Sequence, residues 1–175
     1  EVLTQSGATE IRVSTSEAER ELFWAGRKAA FPAAGRISPD YLCMDGTIPR
    51  ARLGEMLTSI QDMEEKYGLR CLNVFHAGDG NMHPLVLYDG SKEEEREKAK
   101  LFGGEILELS VALGGTITGE HGVGVEKIDQ MCVQFSEAER DMFFAIKHAF
   151  DEHALLNPCK AIPTLNRCAE FGQMH

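Results

Sequence analysis

The segment LRCLNVFHAGDGNMHPLVLY, residues 69–88, contains two apolar runs separated by a short polar turn. Residues 69–76 and 83–88 are rich in Leu, Val, Phe and Tyr, which favour β-strands. Between the runs stands Asp79-Gly80, a preferred pair for a two-residue turn, because a type I′ turn needs positive φ at both positions. The segment therefore predicts a β-hairpin centred on Asp79-Gly80.

The position of that turn predicts how the strands pair. Counting outward places His76 opposite His83, and the next rungs on the same face are Val74 with Leu85 and Leu72 with Leu87. We expect this face to pack inward. Directly opposed residues have Cβ atoms roughly 4.5–5.5 Å apart, so the two imidazoles can chelate one metal ion. A hydrogen-bonded pair of core histidines is the alternative, and a turn of another length would take the rings out of opposition.

A second candidate segment is glycine-rich. Residues 114–124 read GGTITGEHGVG and contain the adjacent pair Glu120-His121. Glycines permit unusual backbone angles and close approach of other groups, while neighbouring side chains tend to point in different directions. That suits a carboxylate ligand and a catalytic base. Two histidines and one carboxylate leave coordination positions open, as in a catalytic metal site. Taken alone, the loop is also compatible with an exposed turn without chemistry.

The rest of the chain predicts helices mixed with a few strands. Ser16, Ser91 and Ser136 each precede a Glu by three residues, the pattern of a capping box at a helix start. Apolar residues at helical spacing predict another helix over residues 50–67. Weaker strand candidates are residues 8–13 and 41–44. We therefore predict an α+β fold in one domain over residues 1–175.

Composition excludes several classes of protein. The chain of 175 residues has 43% hydrophobic residues and a formal charge of −10. This acidic balance argues against a nucleic-acid partner, which needs clustered Lys and Arg. No apolar stretch is long enough for a membrane span, and no leader segment is visible at the start. The five cysteines are odd in number and scattered, which indicates reduced thiols in a cytosolic protein.

Four segments resemble one known family. They are WAGRK at 24–28, NVFHAGDGNMHP at 73–84, GEHGVG at 119–124 and LLNP at 155–158. They are similar to the C-terminal domain of FAD-linked oxidases, a group that includes D-lactate dehydrogenases, D-2-hydroxyglutarate dehydrogenase and the FAD-binding subunit of glycolate oxidase. The ending IPTLNRCAEFG, residues 162–172, is most similar to the glycolate oxidase subunit.

The resemblance implies a fold. The family has a separate N-terminal FAD-binding domain, absent from this chain, and a ferredoxin-like antiparallel sheet with helices that caps the flavin. It implies that this chain begins inside the cap, with an opening strand and helix missing.

The resemblance also implies roles for individual residues. His76, His83 and Glu120 match the ligands of a divalent metal (Zn, Mn or Fe), and His121 matches the general base. Arg27 matches an arginine that binds the substrate carboxylate, and Asn157 lies in the segment that approaches the flavin. One departure is Cys159, where the family usually has Gly. A lysine for a second carboxylate has no match, which favours a small monoacid over a diacid.

The function that the resemblance implies is oxidation of a 2-hydroxy acid such as glycolate or D-lactate, with hydride transfer to FAD. We expect the chain to be inactive without its FAD-binding domain. An iron–sulfur subunit is a further expected partner, in the cytoplasm or peripheral to the inner membrane through partner subunits. The alternatives are a metal-dependent hydrolase using His76, His83 and Glu120, and a module whose only role is docking.

Overall fold

The computed structural model describes residues 1–164 and 167–168. The chain divides after residue 33 into two compact units. The first contains the helices α1 (Val2–Gln5) and α2 (Glu17–Lys28), and α3 (Ala30–Ala34) spans the division. Helix α2 begins after Ser16 as predicted, because the Ser16 hydroxyl accepts a hydrogen bond from the Glu19 N–H. The capping box is only half formed, because the Glu19 carboxylate accepts from the Thr15 N–H and not from that of Ser16. The strand predicted over residues 8–13 is wrong. That segment is exposed and has no strand conformation, and a strand needs a partner to pair with.

The second unit combines a sheet with helices. Its elements in chain order are β1 (Asp40–Cys43), β2 (Gly46–Thr47), a 3-10 turn (Arg50–Arg52), α4 (Leu53–Tyr67), β3 (Cys71–His76), β4 (Asn81–Tyr88), α5 (Glu93–Ala112), α6 (Met131–Gln134) and α7 (Glu137–Phe150). The helix predicted over residues 50–67 and the strand predicted over 41–44 are therefore confirmed, apart from small changes at their ends.

Strand β4 is the centre of an antiparallel sheet. It pairs with β3 along one edge, and with β1 and then β2 along the other. After α5 the chain returns beside β2, where Thr47 and Thr116 form a single antiparallel bridge. The order strand, helix, two strands, helix and returning segment is that of a ferredoxin-like domain, with the last strand reduced to this bridge. The predicted α+β class with an antiparallel sheet is confirmed.

The predicted pairing of the hairpin is wrong by two residues. His76 pairs with Asn81, and Val74 pairs with His83. The turn occupies residues 77–80 because Gly80 is bound to the segment that follows β2. The Gly80 carbonyl accepts a hydrogen bond of 3.0 Å from the Ile48 N–H. Since strand side chains alternate, a shift of two residues keeps both histidines on one face. They lie on a diagonal, with ring centroids 5.4 Å apart.

The face that carries the histidines is not the face that packs against the helices, so that part of the prediction is also wrong. The main core lies on the opposite face, where Cys71, Met82 and Val86 of the hairpin meet apolar residues of α4 and α5 such as Ile60 and Phe102. Strand β4 is buried along most of its length, and Leu85 and Leu87 are buried on the histidine face. The central strand is therefore buried on both faces, and the histidine face lies outside the helical core.

The predicted helix starts have different outcomes. The capping box of Ser136 and Glu139 is present at the start of α7. The one predicted at Ser91 is wrong: α5 begins at Glu93, and the Ser91 hydroxyl donates instead to Asp89 at 2.6 Å. Among the residues that the structure describes, no helix is both long and apolar enough to cross a membrane.

The cysteines also differ from the prediction of reduced thiols. Cys132 and Cys168 form a disulfide, with Cα atoms 5.4 Å apart, while Cys43, Cys71 and Cys159 are free. Their separation of 36 residues gives no sequence signal of pairing. The motif at residues 162–172 lies partly outside the described residues.

Candidate metal centre and active-site loop

The candidate site lies on the histidine face of the sheet. Asn81 and His83 point to this face from β4, and His76 stands at the end of β3. On the opposite edge, Cys43 pairs with Leu85 and Thr47 pairs with Asn81. Asp45 lies between them in sequence, and its Oδ1 is 3.8 Å from Nδ1 of His83. Alternation along three neighbouring strands therefore gathers polar side chains on one face.

The structure brings the predicted ligand set together. Oε1 of Glu120 is 2.9 Å from Nε2 of His83 and 3.7 Å from Nε2 of His76. The three ligand atoms all lie within 4.8 Å of one another. Bonds of about 2.0–2.2 Å to Zn²⁺ place tetrahedral ligand atoms roughly 3.5 Å apart, so small side-chain rotations would close this set around one ion. The donor atoms fit a divalent metal with an open coordination position.

A second set of potential ligands shares His83. Cys43, His83 and His121 also have ligand atoms within 4.8 Å of one another. A metal binds the thiolate form of cysteine, and burial, followed by the charge of Asp45, raises the pKa of Cys43 to about 11. Binding through Cys43 would therefore require ionisation of a thiol whose pKa is raised, whereas the other set supplies a carboxylate ligand. Of the two sets, the chemistry favours His76, His83 and Glu120.

His121, the predicted base, lies beside the ligands. Its ring stacks on that of His83, with centroids 4.9 Å apart and an interplanar angle of 11°. Its Nε2 is 3.9 Å from Oε1 of Glu120, and its side chain is 45% exposed. His83 is instead buried, and burial, together with the charge of His121, lowers the pKa of His83. The lowered pKa favours the neutral form of the buried ring, which is the form that can bind a metal, while the side chain of His121 is open to solvent.

The loop that carries Glu120 and His121 approaches the sheet closely. Thr47 and Thr116 exchange two backbone hydrogen bonds of 3.1 and 2.8 Å. Gly119 lies so near the sheet that a Cβ there would be 1.7 Å from the Asn81 side-chain nitrogen. A glycine is therefore required at this position for steric reasons, which explains part of the glycine-rich composition.

Sequence reasoning missed the buried polar groups under this loop, namely Asp45, Asn81 and Lys127. Asp45 accepts hydrogen bonds from the backbone N–H groups of Gly119, Glu120 and His121 and from the side chain of Asn81. Burial by itself would raise the pKa of Asp45, but the N–H of His121 and the other donors outweigh it and hold the pKa well below the usual range. Asp45 is therefore a buried anion. The only sequence signal for it is an acid that directly follows the apolar residues 41–44.

The roles of all the predicted site residues remain predictions, those of Arg27 and Asn157 included. Arg27 lies in the last turn of α2, in the first unit. Asn157 is exposed, in an irregular segment, and adopts a positive φ of 46°. Nearby, Cys159 has a φ of 59°, in the left-handed region that favours glycine. That backbone conformation gives a physical reason why glycine suits position 159.

The candidate site thus combines a helix-backed antiparallel sheet, two histidines, a carboxylate and a glycine-rich loop. The chain belongs to the family of FAD linked oxidases, C-terminal domain, whose match covers residues 1–161.

Individual relatives agree with this family. The chain is 59% identical over 175 residues to the glycolate oxidase subunit GlcD of Escherichia coli K12, covering 100% of the chain and 35% of that relative. It is 37% identical over 152 residues to GlcD of Bacillus subtilis, covering 86% of the chain and 32% of the relative. It is 32% identical over 149 residues to a mitochondrial D-lactate dehydrogenase [cytochrome] of Arabidopsis thaliana, covering 84% of the chain and 26% of the relative. The chain thus spans about a third of the length of these relatives or less.

Proposed function

We propose that this chain is the substrate-side domain of an FAD-dependent oxidoreductase that oxidises a small 2-hydroxy monoacid such as glycolate or D-lactate. The observation that carries the proposal is the arrangement around Glu120, whose Oε1 is 2.9 Å from His83 and within 4 Å of His76 and His121. The names of the relatives, glycolate oxidase subunit and D-lactate dehydrogenase, support the substrate class.

His76, His83 and Glu120 would hold a divalent metal. When bound, such an ion supplies a Lewis acid that lowers the pKa of a coordinated hydroxyl. The three side chains differ in exposure, at 47% for His76, 55% for Glu120 and 3% for His83. The buried His83 would fix the position of the ion, and the exposed pair leaves one side open to substrate.

His121 would accept the proton of the substrate hydroxyl. A general base must lie within hydrogen-bonding reach of that proton and have a pKa near the working pH, which suits imidazole. Its ring is held by stacking on His83, and its backbone N–H donates to Asp45 at 2.8 Å. We assign binding of the substrate carboxylate to Arg27, whose planar guanidinium can make two parallel hydrogen bonds.

FAD, when bound, supplies the acceptor for the hydride of the substrate carbon. We propose that a separate FAD-binding domain holds it and that Asn157 contributes from this side. The chain alone would then be inactive, because the electron acceptor would be held by that separate domain. An iron–sulfur subunit as the next electron carrier, and a cytoplasmic location with peripheral contact to the inner membrane, are parts of the same proposal.

The same ligands would also suit a metal-dependent hydrolase. Membership in the family of FAD linked oxidases favours the oxidoreductase. The hydrolase would cleave esters or amides with the metal-loaded chain alone, whereas the oxidoreductase would not. A pure docking module would bind no metal at His76 and His83.

The test uses the chain joined to its FAD-binding domain, with glycolate and D-lactate added without oxygen. We expect bleaching of the flavin absorbance near 450 nm. Replacing His121→Asn should leave flavin bound and slow its reduction by about 10²–10⁴-fold, the usual contribution of a general base.

His148→Asn is the matched control, because His148 is a histidine of α7 outside the candidate site. It should reduce flavin at the unaltered rate. Fast flavin reduction by the His121→Asn variant would show that His121 is not the base, and no reduction by any 2-hydroxy acid would refute the substrate class.

A further inference from the structure

We propose that Asp45, paired with Lys127, is the positioning residue that holds both ends of the active-site loop against the metal-binding hairpin. The proposal rests on the function proposed above in one respect, namely that Glu120 and His121 act in the site. Asp45 would touch neither metal nor substrate and would act through the loop.

The first end of the loop is fixed by a run of donors. Thr118 Oγ1 donates to Oδ2 of Asp45 at 2.9 Å. The backbone N–H groups of Gly119, Glu120 and His121 follow, with distances to the same oxygen of 3.0, 3.1 and 2.8 Å. Three successive N–H groups that converge on one anion form a concave backbone nest. The two residues that would do the chemistry are therefore placed by their own main chain.

The second end of the loop is fixed by Lys127. Its Nζ is 3.1 Å from Oδ2 of Asp45 and 3.3 Å from the Asp45 carbonyl oxygen. It also lies 3.3 Å from Oγ1 of Thr118. The Asp45 carboxylate thus binds both Thr118 and Lys127. The segment between these two residues is therefore held at both ends by one side chain, which lies between β1 and β2.

Burial makes this arrangement strong. The side chains of Asp45 and Lys127 are 0% and 2% exposed. Each would be unstable there alone, and each neutralises the other, since a buried ion is tolerated only when it is paired and hydrogen-bonded. Hydrogen bonds to an ionised acceptor are also stronger than those between neutral groups.

The same contacts explain why Asp45 is not a ligand, although its Oδ1 is 3.8 Å from Nδ1 of His83. That distance is too long for a hydrogen bond. Oδ1 accepts from the Asn81 side chain at 2.9 Å, and Oδ2 is occupied by the loop and Lys127. The anion is used for positioning, and the carboxylate left for a metal is that of Glu120.

The test compares the 175-residue chain with a double variant, Asp45→Asn with Lys127→Met. Removing both charges together avoids leaving one buried ion unpaired. We expect amide hydrogen exchange at Gly119, Glu120 and His121 to accelerate at least tenfold, while amides of α4 and α5 keep their protection. Zn²⁺ affinity, measured by calorimetry, should fall by about 10–100-fold, as is usual when groups that orient ligands are lost.

Ser110→Ala is the matched control. Ser110 is 1% exposed, and its hydroxyl donates to Ile106 O within α5, so Ser110→Ala removes a buried hydroxyl whose hydrogen bond goes to α5 and not to residues 118–127. It should change neither the loop amides nor the Zn²⁺ affinity. Unchanged exchange and unchanged affinity in the double variant would overturn the proposal.

Wild-type exchange keeps the proposal testable if the double variant does not fold. The three loop amides should be protected in the unaltered chain, and exchange at the rate of an unstructured peptide would refute the positioning role. This readout needs no metal. Absence of Zn²⁺ binding in the wild-type chain would therefore count against the proposed function alone.

Discussion

The candidate ligand sets consist of a few side chains whose burial differs sharply. His83 is buried, Glu120 and His76 are half-exposed, and Cys43 competes for the same imidazole of His83. The raised pKa of Cys43 favours the set that contains the carboxylate. Single substitutions can separate the two sets, since His76 and Glu120 belong only to one and Cys43 only to the other.

We predict that Glu120→Gln and His76→Gln each weaken Zn²⁺ binding by more than about 100-fold, because loss of a ligand should exceed the 10–100-fold effect of an outer partner. Cys43→Ser should change the affinity by less than about twofold. Calorimetry or competition with a coloured chelator measures all three. If Cys43→Ser abolished binding and Glu120→Gln did not, the second set would be the metal site.

The sequence indicates the members of the candidate site better than their geometry. His76, His83, Glu120 and His121 lie close together, and their roles stay predictions. Asp45 and Lys127 were missed because their 82-residue separation has no periodic pattern. Long-range contacts between buried ions depend on the tertiary fold, and local sequence rules do not contain that information.

The secondary-structure elements show where local rules succeed and fail. Helices α2 and α7 begin after Ser16 and Ser136 because each serine hydroxyl accepts a hydrogen bond from a backbone N–H in the first turn of its helix. Ser91 does not cap a helix, because its hydroxyl donates a hydrogen bond to the carboxylate of Asp89. The prediction of a two-residue hairpin turn fails for a different reason. The Gly80 carbonyl accepts a hydrogen bond from the N–H of Ile48, which lies outside the hairpin. A tertiary contact there outweighs the preference of Asp-Gly for a two-residue turn.

The capping boxes predicted at Ser91 and Ser136 both lie in the second unit, so their substitutions can be compared within one fold. Ser136→Ala should lower the free energy of unfolding by about 1 kcal/mol, the usual value of an N-cap. Ser91→Ala should change it by less than about 0.5 kcal/mol, as for most surface substitutions. Urea unfolding followed by circular dichroism measures both. Equal losses in the two variants would contradict the difference between the two helix starts.

At the scale of the whole molecule, a disulfide joins two segments of the second unit that are 36 residues apart in sequence. The disulfide of Cys132 and Cys168 joins α6 to residue 168, and Arg167 binds Asp129 beside it, with an Nη2–Oδ2 distance of 3.2 Å. Helix α7 lies within the closed loop and has no fully buried residue. We infer that this part of the chain depends on the link more than on packing.

The disulfide predicts a thiol count. Without reductant, denatured chain should react with three equivalents of a thiol reagent, and with five after reduction. In the native state only the exposed Cys159 should react quickly, since Cys71 is buried and Cys43 half-buried. Reduction should lower stability by about 3–4 kcal/mol on the loop-entropy relation for a loop of this length. Mass spectrometry after alkylation would show five modified cysteines without reductant if the link were absent.

The register of the hairpin has a consequence for how such a domain can change over evolutionary time. With a four-residue turn in place of the predicted two-residue turn, His76 lies diagonal to His83 and not opposite it, yet both histidines stay on one face of the sheet. The parity of the register therefore matters more than its exact value. A slip of the pairing by two residues would preserve the chemistry of this face, whereas a slip by one would send an imidazole towards the helices. Substitutions that shift the register by two should thus be tolerated over evolutionary time, and those that shift it by one should not.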